Sequence, residues 1–93
     1  MTRSFACTQT ERLFNRERVT EFINIESVAR RRLLALNNAV VVSDLRIPPG
    51  NRLEALSGER EGQWSIRIND QYRICFTWNE DGPNDVEITK HYQ

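Results

Sequence analysis

The chain has 93 residues, 39% of them hydrophobic and 28% charged, a composition typical of a small folded domain. It predicts a single domain over residues 1–93. The formal net charge is zero, which counts against a simple nucleic-acid-binding domain, because such domains usually carry a clear basic excess. Twelve of the thirteen cations are arginine, the side chain best suited to forked hydrogen bonds with phosphate.

The sequence offers few ligands for a metal. Cys7 and Cys75 are far apart, and His91 is the single histidine, so a zinc site is not expected. No apolar run approaches the roughly 20 residues needed to cross a membrane, and the start of the chain lacks the apolar core of a signal peptide. We therefore expect a cytoplasmic protein with no metal, no cofactor and no membrane contact.

The first half of the chain predicts one short strand and two helices. The strand covers residues 4–7, and the capping-box spacing of Thr8 and Glu11 predicts a helix through Phe14. The polar stretch 15–23 has little to bury, so we expect it to be mobile until a partner binds. A longer helix is predicted from Asn24, its N-cap, to Asn38, with an apolar stripe of Ile25, Val28, Ala29, Leu33 and Leu36.

The second half predicts an antiparallel sheet. Residues 40–42 fit a strand or a helical tail, and a short strand is expected at 53–56. Apolar residues then recur with period two over 64–68 and 72–78, which predicts a hairpin with the loop 69–71. A last strand begins at Val86. The predicted class is α+β: two N-terminal helices packed on one face of a mainly antiparallel twisted sheet of four to five strands.

Residues 44–78 resemble the HigB toxins, a branch of the RelE superfamily. The specific parts are the segment PPGNRLEALSG at 48–58 and the segment GQWSIRINDQYRICF at 62–76. The tail Val86-Glu87-Ile88 also matches the last strand of that family. The likeness covers roughly the whole chain, weakly before Asp44 and strongly after it.

This resemblance implies a compact RelE-like fold and an endoribonuclease that enters the ribosomal A site and cleaves mRNA there. It also implies a HigA-like helix-turn-helix antitoxin, which neutralises the toxin and alone contacts operator DNA. In such cleavage the ribose 2′-OH attacks the adjacent phosphate. The reaction needs a base, positive charge on the phosphate and a proton for the leaving 5′-oxygen.

The resemblance also indicates catalytic residues. Arg73 matches the arginine of the family's Trp/Tyr-Arg strand motif, and its implied role is to stabilise the phosphate. Family members commonly end in Asp-Tyr-His, where this chain has Lys90-His91-Tyr92. His91 keeps a group that titrates near neutral pH, and Lys90 adds charge where relatives often have an acid. Tyr92 is a secondary candidate.

Glu54 lies where some relatives carry histidine, so its carboxylate is either a base or a partner of Arg52. Arg52, Arg60 and Arg67 are candidate contacts to mRNA or rRNA. The catalytic candidates are thus Arg73, His91, Arg67, Lys90, Tyr92 and Glu54, and the RNA-binding candidates are Arg52 and Arg60.

Matching apolar residues across the hairpin sets Arg67 opposite Arg73. Like charges in that position are destabilising unless an anion lies between them. Because no acid lies beside them on those strands, we expect the anion to be the scissile phosphate. Pairing Phe76 with Ile88, and Trp78 with Val86, would then place His91 beside Arg73 on an open sheet face.

Two other functions fit the same fold. Related ParE toxins poison DNA gyrase without cutting RNA, although the retained Arg73 and His91 count against that reading. A weakened toxin that survives as an antitoxin-binding partner is the other alternative, which the altered tail and the neutral net charge keep open.

Overall fold

The protein is described here from a computed structural model, in which residues 1–90 are placed. Two helices are followed by four strands that form one antiparallel sheet in the order β1-β2-β3-β4. The elements are α1 (Thr8–Phe14), α2 (Glu26–Asn38), β1 (Glu54–Ala55), β2 (Trp64–Arg67), β3 (Tyr72–Asn79) and β4 (Gly82–Lys90). Short 3-10 helices occur at Thr20–Phe22, Val42–Arg46, Pro49–Asn51 and Gly58–Arg60. The α+β class with two helices is confirmed.

The helices bury the side predicted by their apolar spacing. In α2, Ala29, Leu33 and Leu36 are buried, and they form one core cluster with the inward side chains of the sheet. The predicted caps are wrong in detail. Thr8 is the first residue of α1 rather than its cap, and α2 begins at Glu26 without a side-chain cap, two residues after Asn24. Burial of the apolar stripe therefore determines these helices more than their caps do.

The polar stretch 15–23 packs more closely than its composition predicts. Its two large inward-facing apolar residues, Val19 and Phe22, are both buried in the core. Arg30 of α2 also holds the stretch, since its guanidinium donates to the carbonyl oxygens of Leu13 and Glu17. The expectation that this segment has too little to bury is therefore wrong, because two well-placed side chains and one arginine supply contacts, and its mobility stays a prediction.

The start of the chain runs parallel to β4 but forms one bridge rather than a full strand. Phe5 pairs with Val86, the amide of Ala6 donates to the Val86 carbonyl, and the amide of Val86 donates to the Ser4 carbonyl. The described residues thus contain four strands and one isolated bridge in place of a fifth strand. Residues 40–42, which the sequence left open between a strand and a helical tail, form neither, since Val40 and Val41 lie in a bend and Val42 begins the 3-10 helix Val42–Arg46. No helix among residues 1–90 is long and apolar enough to cross a membrane.

The register between β2 and β3 is the predicted one. Arg67 lies opposite Arg73, and Trp64 lies opposite Phe76. The loop is held by Asn69, whose Oδ1 accepts hydrogen bonds of 2.8 Å from the amides of Gln71 and Tyr72. The inward side chains of the hairpin, Ile66, Ile68, Ile74 and Phe76, therefore join the core cluster with the helices.

The predicted register between β3 and β4 is wrong by two residues. Ile88 pairs with Ile74 rather than with Phe76, and Thr89 takes the position opposite Arg73 that the prediction gave to His91. The cause lies partly in the turn, where Gly82 pairs with Asn79 and leaves a loop of only two residues. Gly82 has a φ of 112°, and a Cβ there would lie 2.9 Å from the Met1 carbonyl oxygen.

The turn alone shifts the pairing by three residues, since Trp78 lies opposite Pro83 rather than Val86, and a β-bulge then reduces the shift to two. Between the pairs Thr77–Asn84 and Cys75–Glu87, two residues of β4, Asp85 and Val86, lie opposite Phe76 alone. Asp85 takes a left-handed conformation with φ 52°. The extra residue restores the alternation, so Val86 and Ile88 still face the core.

Thr10 links α1 to β4 through a buried hydrogen bond and provides a test of this packing. Its Oγ1 accepts from the amide of Ile88 at 3.0 Å, and the side chain is fully buried. Thr10→Val keeps the shape but leaves that amide without a partner, so we expect a loss of about 1–3 kcal/mol in the free energy of unfolding. Urea denaturation followed by circular dichroism measures it. Thr10→Ser, which keeps the acceptor, is the control, and equal stability of both variants would contradict the role of the bond.

Candidate functional site

One face of the sheet turns away from the helices and carries most of the candidate residues. Residues paired across an antiparallel sheet share a face, so the row Arg67–Arg73–Thr89 lies on this side. The next row is Glu54–Ser65–Cys75–Glu87. The structure thus brings Arg67, Arg73 and Glu54 to one face.

Arg73 is half-buried at the centre of the first row. Its Nε is shielded from solvent and has no hydrogen-bond partner among residues 1–90. A buried donor on a charged group that lacks a partner costs more than an ordinary unpaired amide. An anion bound to this guanidinium would remove that cost, so Arg73 is suited to hold a phosphate.

Arg67 is already neutralised, contrary to expectation. Its guanidinium forms an ion pair with Asp70 of the hairpin loop. The prediction that no acid lies close enough to compensate the opposed arginines is therefore wrong for Arg67, because the loop turns Asp70 back over its strand. Arg73 takes part in no ion pair within the described part of the chain, so its positive charge remains available to an anion.

The second row is covered rather than open. Ser65 and Cys75 are 3% and 0% exposed. Nη1 of Arg60 lies 3.0 Å from Oε1 of Glu87 and 3.0 Å from Oε1 of Gln63, which joins the segment after β1 to β4. The open face is thus limited to the end with Arg67 and Arg73, and the predicted RNA contact of Arg60 has a competing partner in Glu87.

Glu54 and Arg52 are both exposed, and they form no ion pair with each other in the structure. One strand, β2, lies between β1 and β3, which places these two strands about 10 Å apart at ordinary spacing, and Glu54 lies in the row of Cys75 rather than that of Arg73. Arg52 takes a left-handed conformation with φ 48° at the end of a 3-10 helix. Glu54 therefore belongs to the same face as Arg73, at its margin.

Of the three tail candidates, residues 90–92, the structure describes Lys90. Lys90 lies opposite Tyr72, with Nζ 5.8 Å from the centre of the tyrosine ring, so it points away from the Arg73 face. His91 and Tyr92 lie outside the described residues, and their catalytic roles stay predictions. Among residues 1–90 there is no group of three histidine, cysteine, aspartate or glutamate side chains that could hold a metal ion.

The comparison with known families is decisive for the class of protein. Residues 3–91 match the family described as the RelE-like toxin of the type II toxin–antitoxin system HigB. The chain belongs to the HigB family. It is 53% identical over 55 residues to Toxin HigB-1 of Vibrio cholerae, a match that covers 59% of this chain and 58% of that protein. It is also 32% identical over 68 residues to an uncharacterised protein of Haemophilus influenzae, covering 73% of this chain and 67% of the relative.

The match to the Vibrio protein thus spans less than two thirds of that relative's length. The family consists of toxins of type II toxin–antitoxin systems. Membership of it agrees with the α+β architecture, two helices with an antiparallel sheet, that positions Arg67 and Arg73.

Two residues near the site were not predicted from the sequence. Asp70 was assigned only to the hairpin loop, although its spacing of three residues from Arg67 across a turn is a usable signal for an ion pair. Arg32 belongs to a run of three arginines in α2, residues 30–32. In the structure its Nε donates to the Arg67 carbonyl oxygen at 3.2 Å, a long-range contact that no local pattern predicts.

Proposed function

We propose that this HigB-family toxin is a metal-independent endoribonuclease that cleaves mRNA in the ribosomal A site and so inhibits translation. The observation that carries the proposal is Arg73, whose half-buried guanidinium has an unpartnered Nε and lies directly opposite Arg67. Such a pair of arginines favours a bound anion, and a phosphodiester is the anion that a toxin acting on mRNA must hold.

The chemistry that fits this site is internal transfer at phosphorus. The 2′-oxygen forms a bond to the adjacent phosphorus as its proton goes to a base, and the bond from phosphorus to the 5′-oxygen breaks as that oxygen gains a proton. The products are a 2′,3′-cyclic phosphate and a 5′-hydroxyl. Arg73 would stabilise the charge that builds on the phosphate, and Arg67 would position it. His91 is the proposed proton carrier, with Lys90, Tyr92 and Glu54 as secondary candidates.

The partner that we propose for this toxin is a HigA-like helix-turn-helix antitoxin. A type II toxin is held inactive by a protein antitoxin, and contact with operator DNA would come through that antitoxin. The zero formal net charge of the toxin agrees with this division, because a protein that bound DNA by itself would need a basic excess.

The toxin without ribosomes should cut RNA poorly. With one histidine and one lysine in the chain, the site lacks a well-matched acid and base, and a ribosome would help by bending the mRNA into line for attack. We expect cleavage of the same mRNA to be at least about 100-fold faster in a purified translation system than with the toxin alone, because orientation contributes factors of this size or larger. Mapping of mRNA 5′ ends over time measures both rates.

Each result has a distinct meaning. Cuts repeated with the period of codons would support the proposal, and fast cleavage of naked RNA would contradict the dependence on ribosomes. Gyrase-dependent DNA damage would favour a ParE-like activity. If neither RNA nor DNA is affected while antitoxin still binds, the chain is a weakened toxin with a regulatory role. Toxin carrying Arg73→Ala is the matched control for contaminating nucleases.

A further inference from the structure

A second concentration of positive charge lies at the edge of β2, beside the β2–β3 hairpin. β1 pairs with β2 only at Ser65 and Trp64, so no strand covers the edge from Arg67 onwards. Arg32 reaches this edge from α2 and donates from Nε to the Arg67 carbonyl. The Arg32 guanidinium and the backbone of Arg67, from distant parts of the chain, are therefore in contact at one corner of the sheet.

The two arginines repel each other at this corner. The pKa of Arg32 is lowered from its ordinary value, first by burial and then by the positive charges of Arg31 and Arg67. The hydrogen bond from Arg32 goes to a neutral carbonyl, so it does not compensate the charge. A bound anion would offset both the burial and the repulsion.

Asp70 compensates one of the two arginines, Arg67, in the free protein. It is bound to Arg67, yet its side chain is 94% exposed. An ion pair that open to solvent is weak, because water competes for both groups. A phosphate oxygen can take the place of the Asp70 carboxylate, since arginine donates to either in the same forked geometry.

We propose that Arg32 and Arg67 form a second phosphate-binding site, for a phosphodiester of the RNA backbone next to the one at Arg73, and that Asp70 fills this site until RNA displaces it. The inference deepens the proposed function and rests on it for the identity of the ligand. Arg67 lies between the two positions, opposite Arg73 across the hairpin and in contact with Arg32 through its carbonyl. Two phosphates held in this way would fix the direction of the RNA strand across the sheet.

A non-cleavable RNA tests this site apart from catalysis. The probe is a fluorescent 2′-O-methyl oligoribonucleotide, which lacks the attacking hydroxyl, and binding to the full chain is measured by anisotropy over a range of salt concentrations. Asp70→Asn removes the competing carboxylate, so we expect the affinity of this variant for the oligonucleotide at low salt to rise about two- to fivefold. This range corresponds to the free energy of an exposed ion pair. Asp81→Asn makes the same charge change in the β3–β4 turn, at the other end of β3, and should leave affinity within about twofold.

The cationic side of the site has its own variant. Arg32→Gln keeps an N–H for the Arg67 carbonyl and removes the charge, so the slope of log affinity against log salt should fall by about 0.7, the value for one phosphate contact to a single strand. Arg3→Gln is its control, because Arg3 runs along β4 on the opposite edge of the sheet.

Three results would overturn the inference: equal affinities for Asp70→Asn and Asp81→Asn, equal slopes for Arg32→Gln and Arg3→Gln, or no binding by wild type and Asp70→Asn at low salt. Failure of the proposed function can be told apart from failure of this inference. If the toxin is not an mRNA endoribonuclease, mRNA stays intact in the translation system, whatever the oligonucleotide binding shows. Normal mRNA cleavage together with unchanged binding in all four variants would remove only the second site.

Discussion

Expression of the Arg73→Ala variant without antitoxin should no longer arrest growth. Arg73 is the half-buried guanidinium whose Nε has no partner among residues 1–90, so it is the group most available to the phosphate. Loss of one donor aimed at the charge of a transition state costs about 10²–10³ in rate. Growth after induction, together with mapped mRNA cleavage in a translation system, measures the effect.

Two variants control for causes other than lost catalysis. Arg46→Ala removes an exposed arginine from the 3-10 helix Val42–Arg46 and should remain fully toxic. Arg73→Lys keeps the charge without the planar fork, so intermediate toxicity is expected. The Arg73→Ala protein must also stay folded and bind antitoxin. If Arg73→Ala and His91→Ala both remain fully toxic, the active site lies elsewhere.

The part of the fold that sequence alone predicts correctly is the part with a strict periodic pattern. In the hairpin, a slip of one residue would turn Ile66 and Ile74 to solvent and bury Arg67 and Arg73, and the short loop 69–71 selects the observed pairing among the registers that remain. The α2 stripe is predictable for the same reason, since one face of the helix is apolar over its whole length.

The register of β4 could not be found in this way. A slip of two residues keeps Val86 and Ile88 on the core face, so the pattern does not distinguish the predicted pairing from the observed one. The observed pairing depends on the two-residue turn before Gly82 and on the bulge at Asp85. Both features are supported by the chain start: Met1 lies against Gly82, and Ser4 bonds to the backbone of Asp85 and Val86. Contacts over more than 80 positions leave no local signal.

In the candidate site, too, the contacts within one hairpin were predictable, whereas the contacts between distant parts of the chain were not. The opposition of Arg67 and Arg73 followed from alternation within one hairpin. The neighbours of the pair did not follow, because the contact of Asp70 depends on how the loop folds back and that of Arg32 on how α2 packs against the sheet. The sequence therefore predicts the opposed arginines, and the structure adds that Arg67 is already paired with Asp70.

The largest effect on stability is expected at Phe76, the single residue of β3 that faces the bulge. Its side chain is fully buried, and its ring packs edge-on against Trp78 with centroids 6.4 Å apart. Phe76→Ala should lower the free energy of unfolding by about 3–5 kcal/mol, because it removes both buried area and the contacts that line the resulting cavity. A domain of this size is stable by about 5–15 kcal/mol, so the variant would lose a large share of its stability.

Denaturation in urea, followed by circular dichroism and by the fluorescence of Trp64 and Trp78, measures the loss at Phe76. Phe76→Leu fills most of the space and should cost less than about 1.5 kcal/mol. Ile47→Ala, at a side chain that is 78% exposed, should change stability by no more than about 0.5 kcal/mol. A loss below about 1 kcal/mol for Phe76→Ala would mean that the bulge relaxes into the cavity, and that the register of β4 is set by the turn alone.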